Sequence, residues 1–337
     1  MTKSKFFLIM FLSMLGTSAI VAQSRVALHG SGQVTIFSGT APFVDAYNAA
    51  SSGDTIYLPG GGFTAPVEIN KSITVFGAGH YPDSNAVTYQ TSVGGNITIR
   101  TGANNLRLEG IFFTGNISFA GNEKVDNVVI VRCRINGTLA YNGSTPPTTP
   151  CENHQIIQSV LIGDLTLDNL TGSTISNCIL QNAIIRGNNL FITNNVFLRS
   201  NYYPGSYVIP AFNGITGSTI TNNVLLGTSY TSYWQGGCTA CLFVNNLLPV
   251  AATDNYNTTA GLMCINSNSV FDYTKDYHLQ DPETYVGTDG TQVGIYGGAV
   301  GYKPGAVPSN PHFSSAVIAP TTDDEGKLNV NIQVIAQ

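Results

Sequence analysis

The chain has 337 residues, a net charge of −5 and only 10% charged side chains. Phosphate binding needs clustered Lys and Arg, so the 7 Lys argue against a nucleic-acid partner. The 32 Asn and 36 Gly favour turns and left-handed backbone, which predicts many short strands with tight corners rather than helices.

Lys3 and Lys5 begin the chain, an apolar run covers 6–15, and small residues continue to Ala22. This reads as a secretory signal peptide, with cleavage expected after Ala22 or Ala19. The run is shorter than the ~20 residues of a membrane span and no second one follows, so no transmembrane segment is expected. The product is an exported protein, periplasmic, cell-surface or extracellular. Next, PFVDAYNAA at 42–50 has helix character with Pro near its start, and SSGDTIYLPGG at 51–61 reads as turn, strand and turn. A helical N-terminal cap followed by a first rung is expected.

From about residue 106 the chain repeats. ITNNV stands at 192–196 and again at 220–224, and FVNNL at 243–247 is a looser copy. Aligned on the residue before the Val of that motif, a column reads Gly110, Cys133, Ser159, Cys178, Asn195, Asn223, Asn246. Most members are followed by a second strand with period-two alternation: NISFA at 116–120, GTLAY at 137–141 and DLTLD at 164–168. Short strands recurring at about twenty residues predict an all-β, single-stranded right-handed parallel β-helix, with the column as a ladder of stacked amides. The β-helix with its cap is assigned to 23–265, and 266–337 to an irregular C-terminal cover with a closing strand, KLNVNIQVIA at 327–336, of the same domain. A monomer is expected.

The ladder also constrains the cysteines. Cys133 and Cys178 are two rungs apart, or nearly 10 Å, whereas a disulfide needs Cα atoms within about 7 Å. They are expected to be free buried thiols. Cys238 and Cys241 could form a local disulfide, or one of them could link to Cys264; the pairing of Cys151 is open. A zinc or redox site at Cys238/Cys241 lacks the second ligand pair or the α/β context it would need.

GDTIYLPGG at 53–61 with INKSITVFGAGHYPDSN at 69–85 resembles the N-terminal coil of secreted bacterial right-handed parallel β-helix proteins of the pectin-lyase-like superfamily. DYHLQDPETYVGTDGTQVGIYGG at 276–298 and VPSNPHF at 307–313 are similar to the C-terminal coil of the same proteins. The resemblance implies the fold across nearly the whole mature chain. That superfamily includes lyases, hydrolases, esterases and adhesins, so the site must decide function.

No Gly-His-Gly occurs, and the only adjacent Asp pair, Asp323–Asp324, lies in the polar tail, which argues against a polygalacturonase-like hydrolase. For a polysaccharide lyase, Asp164, Asp168 and Arg186 are candidates. However, residues i and i+4 on a strand lie about 13 Å apart, too far to share a cation, and a solvated face is expected. Glu109 and Arg132 are read as a surface ion pair on adjacent rungs. Asp276, Asp281 and Asp289 could offer oxygens to Ca²⁺, but without loop-motif spacing they read as turn formers; no metal or cofactor is assigned. His29, His80, His154, His278 and His312 are scattered and no nucleophile motif accompanies them.

The long rungs insert at one place: SNYYPGSY at 200–207, TSYTSYWQGG at 228–237, and a third loop after Val250 containing Tyr256. Equivalent corners stack, so Tyr202, Tyr203, Tyr207, Tyr230, Tyr233 and Trp234 should gather into one patch. Such a patch could stack on sugar rings or fold onto the flank. The expectation is a non-catalytic exported protein binding a polysaccharide or cell-surface glycan through these rings. The alternatives are a polysaccharide lyase and a structural or adhesive surface protein.

Overall fold

A computed structural model describes residues 25–81, 87–143, 148–198, 209–226, 234–266, 272–309 and 311–336; the signal-like segment lies outside them. Three long sheets of eleven, ten and eight strands are visited in turn by consecutive strands. A representative coil places Phe191–Thr193 in the eleven-stranded sheet, Val196–Phe197 in the ten-stranded and Phe212–Asn213 in the eight-stranded. Thr219–Thr221 then returns to the first sheet, with Ile220 in parallel register on Ile192. The chain is therefore a parallel β-helix. Among the described residues, no helix is long and apolar enough to cross a membrane.

What covers each sheet is written in its sequence period. Strands of the eleven-stranded sheet are triplets with an inward centre. Ile130, Ile156, Ile175, Ile192 and Ile220 stack in register and are at most 1% exposed. Their flanking residues, such as Thr174, Ser176 and Thr193, point outward, giving the alternation of a half-buried sheet. The eight-stranded sheet alternates likewise, with Ile117 and Phe119 inward around Ser118. The ten-stranded sheet breaks the rule. Its doublets at 160–161, 179–180, 196–197, 224–225 and 247–248 are buried at both positions. One member of each joins the inner core; Val160, Ile179, Val196, Val224 and Leu247 face outward into a second core shared with Met263, Tyr277, Val293 and Ile295 of the C-terminal segment. A continuous apolar doublet marks a sheet covered on both faces.

The N-terminal helix spans Pro42–Ala49, with Pro at its start, and buries Phe43, Ala46 and Tyr47. The Lys71 ammonium donates to the carbonyls of Tyr47, Asn48 and Ala50 at 2.8, 3.1 and 2.7 Å, satisfying the orphan acceptors of the helix end. Two elements depart from expectation. Val26–Gly30 and Gln33–Phe37 form an antiparallel hairpin that extends the eleven-stranded sheet beyond the first rung strand, Thr55–Tyr57. The C-terminal strand does not close the stack. Among the described residues, Val330–Ile335 pairs only with His312–Ile318, as an antiparallel hairpin beside the first rungs.

The ladder is real, but its first member shifts by one. Strand register pairs Phe112 with Arg134, so Ile111, not Gly110, stacks with Cys133. Gly110 belongs to the neighbouring column, with Arg132, Gln158, Asn177, Asn194, Asn222 and Asn245, all at φ between 51° and 71°. The inner column continues past Asn246 to Asn255, whose Oδ1 accepts from the Asn246 backbone at 3.0 Å and its Nδ2 at 2.8 Å.

The left-handed column holds the C-terminal cover. Asn245 donates to the Val286 carbonyl, Asn222 pairs with Thr288, Asn194 donates to Gly294, and Asn177 donates to Ile295 and Gly297. Gln158 donates to Gly301, and Glu109 accepts from the Ser309 N–H. As the cover's number rises from 286 to 309, its partners fall from 245 to 109. It runs back down the solenoid toward the N-terminal end. Gly110 is required there: a Cβ on it would stand 2.0 Å from Pro308 Cγ.

Candidate functional site

Of the expected aromatic patch, Tyr202, Tyr203, Tyr207, Tyr230 and Tyr233 lie outside the described residues. Trp234 is half-buried, meets Phe243 edge-to-face at 4.9 Å and packs against the inner core. Tyr256 of the third loop is also half-buried, and its hydroxyl donates to the Val286 carbonyl at 2.8 Å. Both rings serve packing.

The structure builds a different feature. Between the outer face of the eleven-stranded sheet and the cover lies a cleft of about 370 Å³. Its floor is Gln155, Ile157, Thr174, Ser176 and Thr193 from three successive rungs; its wall is Thr288, Asp289 and 298–300. Rungs repeat every ~4.8 Å, so hydroxyl and amide groups form rows along the solenoid axis. The Thr193 hydroxyl donates to the side-chain Oδ1 of Asn194 at 2.7 Å and accepts from the Thr221 hydroxyl at 3.3 Å, which orients this row. Phe191, two residues before Thr193 on the same outward face, is 55% exposed. The cleft thus combines a hydrogen-bonding floor with an exposed ring at its edge. Asp289 is the one carboxylate among its described lining residues, and Oδ1 of that side chain is engaged by the Thr291 N–H at 2.9 Å and hydroxyl at 2.8 Å.

The floor escaped sequence reasoning because its wall comes from more than 90 residues away in the chain. One signal was present: Phe191 stands at an outward position of a triplet whose counterparts Thr174 and Thr219 are polar.

The titratable candidates are largely accounted for. The Arg186 guanidinium grips Asp168 in a two-point ion pair, with Nη2 donating to Oδ2 at 2.9 Å and Nε to Oδ1, and the hydrogen bond holds the guanidinium above its usual range. Glu109 and Arg132 do pair, at 3.2 Å, but Glu109 is fully buried rather than on the surface. Burial pushes that carboxyl up, and the hydrogen bond from the Ser309 N–H with the charge and bonds of Arg107 outweighs it, leaving it below the usual carboxylate range. Its work is to anchor the cover. Asp276, Asp281 and Asp289 each accept from a backbone N–H two or three residues on, as turn formers do.

His154 is buried inside the tube, with Nε2 donating to the Val125 carbonyl at 2.7 Å and Nδ1 accepting from the Tyr141 hydroxyl at 3.0 Å. Burial lowers its pKa to about 4. His80, beneath the cover, is fully buried and neither ring nitrogen has a hydrogen-bond partner among the described residues. Burial, then the charge of Arg134, lowers it to about 3.

All six cysteines are thiols. Burial pushes Cys133 and Cys178 up to about 12, as inert core residues. The expected Cys238–Cys241 bond is absent: the two thiols donate to different carbonyls of the rung below, Phe212 at 3.5 Å and Ile215 at 3.4 Å. A link to Cys264 is absent too, because Cys264 packs in the outer core and Cys238 and Cys241 pack against the inner one.

Compared with family models, curated proteins and solved structures, the chain matches none.

Proposed function

We propose that this is an exported, non-catalytic β-helix protein that binds an extended polysaccharide along its flank. The observation that carries the reading is the cleft of about 370 Å³ whose hydroxyl and amide rows run with the solenoid axis beside the exposed ring of Phe191. Repeating sugar hydroxyls suit such rows, and an apolar sugar face suits a ring. The basic start and apolar run at 1–22 support export, and the likeness of 53–61, 69–85 and 276–298 to secreted pectin-lyase-like proteins supports a carbohydrate context. Of the loop rings, Trp234 packs against the inner core and the five tyrosines lie outside the described residues, so the cleft carries the proposal.

Affinity electrophoresis against neutral and acidic polysaccharides tests it. Retardation should occur on at least one polymer, and Phe191→Ala should weaken it by roughly tenfold, the effect of losing one stacking contact. Thr174→Val should weaken it too, while melting is unchanged in both. Wild-type protein that migrates freely on every polymer, or Phe191→Ala that binds like wild type, would end the proposal. New absorbance from unsaturated uronate products would replace it with a lyase.

A further inference from the structure

At the N-terminal end the outer face of the eleven-stranded sheet changes character. Along the flank cleft that face is mixed, with Gln155, Ile157, Thr174, Ser176 and Thr193; here it is apolar and aromatic, with Ala27, Ile36, Tyr57 and Phe76. Facing them are Phe313 and Val334 from the C-terminal hairpin. These walls enclose a cavity of about 700 Å³, within the ~300–1,000 Å³ typical of small-molecule sites. Ile36, Phe313 and Val334 are 54%, 47% and 56% exposed, so the two apolar surfaces stand apart instead of packing on one another. A filler between them would shield both from water.

The chemistry of that filler follows from the lining. Tyr57 and Phe76 stack on each other at 5.5 Å and 21°, and His29 covers the other side of Tyr57 at 4.7 Å. Their faces are thus partly occupied by one another, which suits flexible alkyl packing better than stacking of a sugar ring. The rim carries a charge: Arg25 lines the cavity, is exposed and has no carboxylate partner among the described residues. No Asp or Glu is among the described lining residues. An apolar chamber with one uncompensated cation at its edge complements an apolar chain ending in an anion.

We infer that this cavity binds a single-chain amphiphile with an anionic head, of the long-chain carboxylate class. The site is independent of the flank cleft and shares no described lining residue with it.

Titration calorimetry of the full chain with saturated fatty acids of increasing length, each below its micelle concentration, and with the matching alcohols tests the inference. Binding should be one to one and tighten by up to about fourfold per added methylene until the chamber is full. Carboxylates should bind roughly five- to tenfold more tightly than alcohols, as a charge-assisted contact implies. Arg25→Gln should remove that preference and leave alcohol binding unchanged. Ile36→Glu should abolish binding of both; because Ile36 is half exposed, its melting temperature should match wild type. The inference is overturned by an absence of saturable binding, by equal affinity for acid and alcohol in wild type, or by unaltered binding in Ile36→Glu. Sedimentation showing a wild-type dimer that Ile36→Glu converts to monomer would also overturn it, because the gap would then be a subunit interface.

Discussion

Asn194 and Asn195 are neighbours in one motif and hold two different regions together. Asn195 points into the tube, where its N–H and Nδ2 both donate to Asn223 Oδ1 one rung on, at 3.0 and 2.9 Å. Asn194 is at φ 57° and points out, where its Nδ2 donates to the Gly294 carbonyl of the cover at 3.3 Å. Asn222/Asn223 and Asn245/Asn246 repeat the division. The side-chain chemistry is the same in both columns. A left-handed backbone at the first Asn turns it outward, and the next amide is left facing the core. One column fastens rung to rung; the other fastens the solenoid to its own C-terminal segment.

Acid should break both regions at once. His154 in the tube and His80 under the cover have folded pKa values near 4 and 3, against 6.5 for an unperturbed His. The unfolded chain therefore takes up these protons first. Stability is full above pH 6.5 and is lost as pH falls toward 4 for His154 and 3 for His80. Each contributes a slope of about 1.4 kcal/mol per pH unit, a loss on the order of 6 kcal/mol together by pH 4. The two positions should then separate. His80→Phe removes no hydrogen bond seen among the described residues, so it should be near neutral at pH 7 and lose its share of the acid slope. His154→Phe strands the Tyr141 hydroxyl and the Val125 carbonyl and should cost about 1–3 kcal/mol at pH 7. Urea unfolding at several pH values measures all three; a stability that is flat from pH 7 to 4 contradicts the account.

Within the tube, Asn223→Ala should be the most damaging single change to the ladder. Asn223 is fully buried; its Oδ1 accepts two donors from Asn195, and its Nδ2 donates to the carbonyls of Ile192 and Thr221 and to Asn246 Oδ1. Stranded buried groups cost about 1–3 kcal/mol each, and water can refill part of the space, so a loss of about 3–5 kcal/mol is expected by denaturant unfolding. A loss below about 1 kcal/mol would show that the inner ladder is decoration.

The inner ladder could be read from the repeats because its partners lie one period apart along the chain. So could the separation of Cys133 from Cys178, which needs only a rung count. The apolar doublets at 160–161 or 224–225 carried a further message, that the ten-stranded sheet is covered, but did not say by what. The cover's path depends on contacts such as Asn177 with Ile295, 118 residues apart, which no local pattern encodes. The flank cleft inherits that blindness, since one of its walls is cover. The one-residue shift at Gly110 has the same local origin: at the first member of the column Ile111 stands where later members are small or polar, and the small residue is its neighbour Gly110. The Cys238–Cys241 spacing misled because closeness in sequence says nothing of which carbonyl each thiol meets.

The outward column gives the smallest effect and the sharpest comparison. Asn222 donates to the Thr288 hydroxyl at 3.2 Å and accepts from its N–H at 3.0 Å, while its own carbonyl accepts the Gly294 N–H at 2.7 Å. Asn222→Gly keeps the backbone at φ 60° without strain and deletes only the side-chain contacts. Thr288 borders the cleft, so water can replace the lost partner, and the cost should be about 1 kcal/mol. Asn222→Ala should cost about 1–2 kcal/mol more, because a Cβ is strained in the left-handed region. Hydrogen exchange distinguishes the regions: amides of Thr288 and Gly294 should exchange about fivefold faster in Asn222→Gly, a change of ~1 kcal/mol, while Ile192 and Ile220 keep wild-type protection. Equal acceleration in all four would mean that cover and tube open together, and that the two columns of Asn serve a single cooperative unit.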